Sequence, residues 1–394
     1  MAARPGGGGT KSFPNSAGVK RGADDSGAMV VIKRQAGALS VADQKRQALV
    51  AVKEKPDRFS QLMAPTMKLE GHRGEIYTMK FAPNGVYLAT AGFDKEVYVW
   101  EVYGECPHVM TLKGHKNAVQ ELHWSTDSDT MYTASADKTV MVWDTQTGGR
   151  IKKVVGHESF VNSVCPARRG PPIFVSGSDD GTSRLWDLRA CRRPQAVFKQ
   201  KYQVTAVCLS DGADQIFAGS LDNTVRCWDI RSASDSDADG PPEPVYTMQG
   251  HSNTVTSLSL SPDGTRLLSN SMDNTARIWD VRPFVAGGER QTMQLQGHNH
   301  GFEKLLLKSS WSPDGTLVGL GSSDCMVCVF DATSGSIKYR LPGHGGSVNE
   351  VAFHPKEPIL GSCSSDRSVY LGEVDLQWDS SGAGLGGLAG EKLN

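Results

Sequence analysis

Residues 114–144 read GHKNAVQELHWSTDSDTMYTASADKTVMVWD, and this stretch decides the fold. It begins with Gly-His and ends with Trp-Asp, and its apolar and polar residues alternate as they do in half-buried β-strands. Gly-His recurs at 71–72, 156–157, 250–251, 297–298 and 343–344. The histidines are 42 to 47 residues apart, except for one gap of 94 residues that holds two units. A unit of this length predicts a propeller, in which each repeat forms one four-stranded blade.

The Trp-Asp end of the unit recurs as well. The Trp position is held by Trp100, Trp143, Trp186, Trp228, Trp279, Phe330 and Gly372, each followed by Asp or Glu. An aspartate stands six residues before each of them, at 94, 137, 180, 222, 273, 324 and 366. The pattern resembles the WD40 repeat, and it predicts an all-β, seven-bladed WD40 β-propeller over residues 65–376. We expect Thr66 to Glu70 to supply the outermost strand of the last blade, which would close the ring and remove an exposed sheet edge.

Three segments lack the apolar residues that a core requires. Residues 1–64 are rich in Gly, Ala and Lys or Arg and predict a disordered basic arm. Residues 232–244 form an acidic loop within the propeller, and residues 377–394 form a Gly-rich tail. The pairs Lys20-Arg21 and Lys33-Arg34 are typical either of a two-part nuclear import signal or of a solvated arm.

The composition narrows the function. Lys plus Arg number 42 against 43 Asp plus Glu, so the whole chain has no positive excess for holding phosphates. It contains no apolar run long enough to span a membrane, and we expect a soluble intracellular protein. Cys325 and Cys328 form CxxC in a predicted strand, where an offset of three places the thiols on opposite faces. His298 and His300 lack a third ligand, so we expect neither a metal nor a cofactor.

The repeats share a set of three polar residues, namely a His, a Ser or Thr, and an Asp. This set allows two interpretations. A hydroxyl, an imidazole and a carboxylate are the parts of a nucleophilic triad. However, four copies of one active site in a chain are implausible, and the resemblance to WD40 proteins implies a structural chain of hydrogen bonds from Trp through the hydroxyl and His to Asp. We therefore predict no enzymatic activity. The four sets are His72, Thr90, Asp94 and Trp100; His115, Thr133, Asp137 and Trp143; His157, Ser176, Asp180 and Trp186; His251, Ser269, Asp273 and Trp279.

Three repeats depart from this set. The fourth has Gln200 near the His position and Ala218 at the hydroxyl position, the sixth has Leu320 and Phe330 at the hydroxyl and Trp positions, and the seventh has Gly372 at the Trp position.

Partner binding is expected on the loops of one face, because the scaffold beneath does not depend on them. The analogy with WD40 proteins selects Tyr77, Phe93, Phe160, Asn162, Met272 and Asn349 as candidate contacts. Arg168-Arg169 is either a site for phosphate or an acidic partner, or a solvated turn.

Several loop stretches resemble the WD-repeat proteins of the U5 small nuclear ribonucleoprotein, a spliceosome component. They include Val102-Tyr103-Gly104, residues 159–163, the turn from Cys165 to Pro171, residues 279–284, Phe302-Glu303-Lys304 and residues 349–355. The resemblance implies a monomeric nuclear scaffold that docks on the large U5 scaffold protein in pre-mRNA splicing and contacts RNA indirectly, through its neighbours.

A second function is compatible with the sequence. Arg189, Arg231 and Arg282 each end a Trp-Asp-x-Arg motif, and this motif resembles that of propellers that bind the adaptor of cullin-RING ubiquitin ligases as substrate receptors.

Overall fold

The computed structural model describes residues 60–190, 193–231, 242–285 and 288–374. The predicted arm up to residue 59, residues 232–241 of the acidic loop, the predicted tail and the Lys-Arg pairs at 20–21 and 33–34 lie outside the described residues. Within the described part the chain forms 28 β-strands and no α-helix. None of the described segments is therefore a helix that is long and apolar enough to cross a membrane.

The strands follow one another in sets of four. The first is β1 (Thr66–Glu70), and the first blade contains β2 (Ile76–Phe81), β3 (Tyr87–Gly92), β4 (Glu96–Glu101) and β5 (His108–Lys113). The second contains β6 (Val119–Trp124), β7 (Thr130–Ser135), β8 (Thr139–Asp144) and β9 (Arg150–Val155). The third contains β10 (Val161–Pro166), β11 (Ile173–Ser178), β12 (Thr182–Asp187) and β13 (Ala196–Lys199). The fourth contains β14 (Val204–Leu209), β15 (Gln215–Ser220), β16 (Val225–Asp229) and β17 (Tyr246–Met248).

The remaining blades continue the pattern. The fifth contains β18 (Val255–Leu260), β19 (Arg266–Ser271), β20 (Thr275–Asp280) and β21 (Gln291–Gln296). The sixth contains β22 (Ser309–Trp311), β23 (Leu317–Gly321), β24 (Val327–Asp331) and β25 (Ile337–Leu341). The seventh contains β26 (Val348–Phe353), β27 (Ile359–Ser364) and β28 (Ser368–Glu373).

The seventh blade closes the ring with a strand from the start of the propeller. Strand β1 pairs antiparallel with β28, from Thr66 opposite Gly372 to Glu70 opposite Ser368, and completes a sheet of order β1-β28-β27-β26. This confirms the predicted closure and the seven-bladed, all-β fold. The propeller packing starts before the predicted boundary at 65, because Leu62 is buried against the core between the first and seventh blades.

The core lies between neighbouring blades. Val119, Leu122 and Trp143 of the second blade pack with Val97 and Val99 of the first, and every one of these side chains is buried. Within the first blade, the close approach of β3 to the start of β2 explains a glycine, because a Cβ atom at Gly92 would lie 2.0 Å from the carbonyl oxygen of Glu75. The alternating apolar positions of the repeat are therefore the residues that fill the interfaces between the blades.

One face of the propeller carries all the histidine loops. The loop from the outermost strand of one blade to the innermost strand of the next holds the repeat's His, and the turn between the second and third strands holds its Asp. We call this the upper face. The innermost strands β2, β6, β10, β14, β18, β22 and β26 surround a central channel.

Candidate functional site

Four repeats form the same chain of hydrogen bonds below the upper face. In the second blade, Trp143 Nε1–H donates to Thr133 Oγ1 (2.9 Å), Thr133 Oγ1 lies 2.7 Å from His115 Nε2, and His115 Nδ1 lies 3.0 Å from Asp137 Oδ2. The same contacts join the predicted residues of the first, third and fifth blades, at 2.6 to 3.0 Å. The Asp carboxylate can only accept, so Nδ1–H donates to it, and Nε2 of a neutral imidazole then accepts the hydroxyl hydrogen, while the indole N–H donates to the hydroxyl oxygen.

The aspartate of each set also fixes the backbone around it. Asp137 accepts the N–H of Lys116 (2.9 Å), the residue after the His, and both the N–H and the hydroxyl of Thr139. Burial alone would raise the pKa of Asp137, but the hydrogen bonds from His115 and Thr139 hold it well below its usual value. The carboxylate therefore stays charged and ties the His loop to the neighbouring turn.

The burial of the four hydroxyl groups argues against their use as nucleophiles. The four hydroxyls, those of Thr90, Thr133, Ser176 and Ser269, are completely buried, and each already bonds an indole and an imidazole. A nucleophile needs a hydroxyl that a substrate can reach. We infer that the four sets stabilise the blades and join loops that are distant in sequence.

The fourth blade replaces this chain with a different one. Arg226 donates from Nη1 to Gln200 Oε1 (2.8 Å) and from Nη2 to Asp222 Oδ2 (2.5 Å). Because Ala218 stands where the other blades have a hydroxyl, Trp228 Nε1–H is buried without a hydrogen-bond partner in the described structure. A charged pair thus takes over from the histidine, and one buried donor is left unsatisfied.

The sixth and seventh blades show two further solutions. The His298 ring lies edge-on to Phe330 of its own blade (6.4 Å between centroids), but its Nε2 lies 2.8 Å from Asn270 Oδ1 of the fifth blade. In the seventh blade, His344 keeps its contacts with Ser362 (2.8 Å) and Asp366 (3.0 Å). The ring of Tyr370 meets the His344 ring edge-on at 4.7 Å between centroids, as Tyr98 contacts His72 in the first blade, while Gly372 leaves Ser362 without an indole donor.

The predicted partner contacts fall into two groups. Phe93 and Phe160 are exposed on the upper face (59% and 46%), while Tyr77 and Met272 are half-buried there. Asn162 and Asn349 are buried instead. Asn162 Nδ2 donates to Asp179 and to the Val204 carbonyl of the next blade, and Asn349 Nδ2 donates to the Ile76 carbonyl of the next blade. The burial contradicts an exposed contact at these two positions, because the amides are used to join neighbouring blades.

The three arginines of the alternative function lie after the third strands, on the face opposite the histidine loops. Arg189, Arg231 and Arg282 each donate a backbone N–H to the aspartate two residues earlier. The guanidinium groups of Arg231 and Arg282 also pair with those aspartates, Asp229 and Asp280, although the two side chains are 77% and 62% exposed.

Two local predictions need correction. Cys325 lies in the turn before β24 with φ of +67°, so only Cys328 is in a strand. The turn at Arg168 is not simply solvated, because its guanidinium donates to the Leu260 and Ser261 carbonyls of the fifth blade. Among the described residues, His, Cys, Asp and Glu form no group of three that would suit a metal ion.

A network of charges in the central channel was not predicted. Glu350 is fully buried and its carboxylate binds Lys80 Nζ (2.5 Å), the Thr78 hydroxyl (2.7 Å) and the Met79 N–H (2.8 Å). Glu121 on β6 of the second blade lies 3.4 Å from the buried Nζ of Lys308, which directly precedes β22 of the sixth blade. The Glu121 carboxylate also accepts the Val164 N–H. Burial would raise the pKa of Glu121, but the adjacent Lys308 ammonium contributes to holding it far below its usual value. Charged residues at inward-facing positions of apolar strands are the signal that would have identified this network.

Comparison with known proteins agrees with this architecture. The family model described as WD domain, G-beta repeat matches the chain seven times, over residues 63–101, 106–144, 148–187, 192–229, 242–280, 289–331 and 335–371. The repeats, the ring of seven sheets and the recurring hydrogen-bonded sets define the chain as a WD40-repeat β-propeller.

The relatives narrow the family further. The chain is 52% identical over 319 residues to the U5 small nuclear ribonucleoprotein 40 kDa protein of Pongo abelii, covering 81% of this chain and 86% of the relative. The protein of the same name from Bos taurus is 51% identical over 355 residues, covering 88% and 96%. The chain therefore belongs to the family of U5 small nuclear ribonucleoprotein 40 kDa proteins. It is also 41% identical over 318 residues to pre-mRNA-splicing factor cwf17 of Schizosaccharomyces pombe, covering 81% of this chain and 90% of the relative.

A more distant similarity concerns the alternative function. The DDB1- and CUL4-associated factor 11 homolog of Caenorhabditis elegans is 28% identical over 229 residues, covering 49% of this chain and 39% of the relative.

Proposed function

We propose that this protein is a non-enzymatic interaction scaffold of the U5 small nuclear ribonucleoprotein that acts in pre-mRNA splicing in the nucleus. The observation that carries the proposal is the identity of about half the residues over nearly the whole propeller with the U5 relatives. A partner would contact the loops of the propeller, which the blades do not need for stability.

The finer part of the proposal concerns the partners. The propeller, proposed to span residues 65–376 as a monomer, docks on the large U5 scaffold protein through the upper face, and the other components of the particle hold most of the RNA. Exposed Phe160 is the anchor that we assign to this contact, because aromatic side chains in rigid loops lose little entropy on binding. The hydrogen-bonded sets beneath keep the loops in place.

The test is purification of the tagged full chain from nuclear extract, with RNA sequencing and mass spectrometry of the bound material. Recovery of U5 RNA with the large U5 scaffold protein supports the proposal, and its absence at moderate salt contradicts it. The variant Phe160→Ala should reduce the recovery. A matched control is Val155→Ala, which removes an exposed apolar side chain (64%) from the outer strand β9.

The substrate-receptor function of a cullin-RING ligase is the second candidate, and the Trp-Asp-x-Arg motifs favour it together with the distant factor 11 relative. It predicts that the chain binds the purified ligase adaptor and that Arg282→Ala weakens this binding. If the Arg282→Ala protein binds the adaptor as well as the wild type does, or if neither binds, this candidate fails.

A further inference from the structure

One sector of the upper face concentrates positive charge at equivalent turn positions. The residue after each repeat's turn aspartate adopts a left-handed backbone, with φ between +62° and +74°. Gly and Asn tolerate this conformation best, and Gly181, Asn223 and Asn274 occupy it in the third, fourth and fifth blades. Lys95, Lys138 and Arg367 occupy it in the first, second and seventh blades, where their conformation is less favourable.

These three blades are neighbours, because the ring closes between the seventh and the first. The first and second blades add a second cation each, at the residue after the repeat's histidine: Arg73 and Lys116. All five side chains are exposed. We call Arg73, Lys95, Lys116, Lys138 and Arg367 the basic sector. The same loops also hold the carboxylates of Glu75, Asp94, Asp137 and Asp366, and the three aspartates accept backbone N–H groups within their own blades.

The backbone under the basic sector is fixed. The N–H groups of Arg73 and Lys116 donate to the turn aspartates of their own blades, Asp94 and Asp137. The left-handed residues also close their turns with a backbone hydrogen bond. The Lys95 N–H donates to the Gly92 carbonyl (3.3 Å), and the Arg367 N–H donates to the Ser364 carbonyl (3.2 Å). The positions from which the cations project are therefore preorganised, which lowers the entropic cost of binding.

The five cations also lack neutralising partners within the described structure. None of them forms an ion pair with a described acidic side chain, whereas Arg226 and Arg340 at the sides of other blades pair with Asp222 and Asp324. Lys138 Nζ does donate to the Glu158 carbonyl (2.8 Å), but a carbonyl leaves the charge uncompensated.

An exposed aromatic ring lies within this sector. Phe93 stands two residues before Lys95, is 59% exposed, and packs beside Gly74, where an added Cβ would lie 3.2 Å from the Phe93 ring. The equivalent residue in the second blade is Ala136, so the fold does not require an aromatic side chain there. Cations that track a backbone around an aromatic platform are the usual means of binding single-stranded nucleic acid.

We propose that the basic sector binds single-stranded RNA directly, with the cations on successive phosphates and a base stacked on Phe93. An acidic protein segment would also be attracted to the charge. However, such a segment brings apolar side chains, and in the described upper-face loops that carry the five cations Phe93 is the only exposed large hydrophobic residue. The inference goes beyond the scaffold function and does not depend on it.

The experiment measures binding of the purified full chain to a fluorescein-labelled oligouridylate of 12 nucleotides by fluorescence anisotropy between 0.05 and 0.3 M salt. The triple variant Lys95→Asn/Lys138→Asn/Arg367→Asn removes three charges and keeps a residue that suits the left-handed turn. Since each phosphate contact on a single strand contributes about 0.7 to the salt slope, affinity should fall about 100-fold at 0.1 M salt and the slope by about 2. Phe93→Ala should weaken binding about 5-fold or more through lost stacking.

The matched control is Lys153→Gln/Lys199→Gln/Lys356→Gln, which removes three exposed lysines outside the sector and leaves the N-terminal residues unchanged. It should bind RNA like the wild type, and all variants should keep the wild-type unfolding temperature. Equal losses in the triple variant and the control would overturn the proposal. So would absence of RNA binding by the wild type, or preference for a labelled oligoglutamate peptide over RNA. Because no U5 component is present, these outcomes leave the scaffold function to its own test.

Discussion

The contribution of the indole hydrogen bond can be measured by comparing two tryptophans in the same chain. Trp143 and Trp228 hold equivalent positions on β8 and β16 and are 2% and 1% exposed. Trp143 donates to Thr133, whereas the Trp228 N–H has no partner among the described residues. Replacing each by Phe removes a similar volume, so the difference between the two variants reports on the indole N–H, which is hydrogen-bonded in one blade and unsatisfied in the other.

The magnitude follows from the two environments. Trp143→Phe loses a buried hydrogen bond, which costs about 1 kcal/mol beyond the cavity. Trp228→Phe removes an unsatisfied buried donor, whose desolvation costs about 1–3 kcal/mol in the wild type. Trp143→Phe should therefore be less stable than Trp228→Phe by about 2–4 kcal/mol. At about 2 °C per kcal/mol for a domain of this size, the unfolding temperatures should differ by about 4–8 °C.

The assay is differential scanning calorimetry of the two variants at one scan rate and one pH, with the wild type beside them. Thr133→Val in the second blade serves as a second probe, since it removes the acceptor and should lower the unfolding temperature in the same direction. If Trp228→Phe lowers the unfolding temperature as much as Trp143→Phe does, the hydrogen-bonded sets do not provide the stability we assign to them.

Three further predictions concern other parts of the ring. Burial lowers the pKa of His298 to about 4, below the ordinary value of 6.5. The folded protein therefore disfavours the protonated ring, and its stability should fall by about 3 kcal/mol as the pH is lowered from about 6.5 to about 4. Urea unfolding at several pH values should show a flatter dependence of stability on pH for His298→Gln. Glu121→Gln strands the buried Lys308 ammonium and should destabilise by about 3–5 kcal/mol, while adding Lys308→Met should recover most of the loss in the same assay. A chain that starts at Gly71 leaves β28 unpaired and should self-associate in size-exclusion chromatography, whereas a chain that starts at Ser60 should elute as a monomer.

The fold was predictable from the sequence because each repeat carries its own hydrogen-bonding set. The spacing of Gly-His, Asp and Trp-Asp fixes where the loops, turns and third strands lie, and the contacts among them are local to one blade. The position of β1 was predictable for a related reason, since the last repeat lacked an outer strand and Thr66–Glu70 had no blade of its own.

Contacts between blades were not predictable in this way. Lys80 and Glu350 are brought together only by closure of the ring, and nothing near either residue in the sequence indicates the pair. Asn162 was expected on the surface because it lies close to the histidine loop, but the bulge at the start of β10 lets its amide reach the next blade. Burial at such positions depends on the packing angle of two sheets, which a repeat pattern does not specify.

The hydrogen-bonded sets also determine which charges on the upper face remain available to a ligand. The negative charge of Asp137 lies close to Lys116 and Lys138, and would be expected to pair with one of them. However, its oxygens already accept bonds from the His115 imidazole, the Lys116 N–H and the Thr139 hydroxyl and N–H. These bonds satisfy the carboxylate within the loop, so that neither lysine ammonium forms an ion pair with a described acidic group. The interactions that stabilise the blade therefore leave both lysines exposed and without a described acidic partner, with Lys138 Nζ bound only to the Glu158 carbonyl, so that a phosphate backbone can reach them.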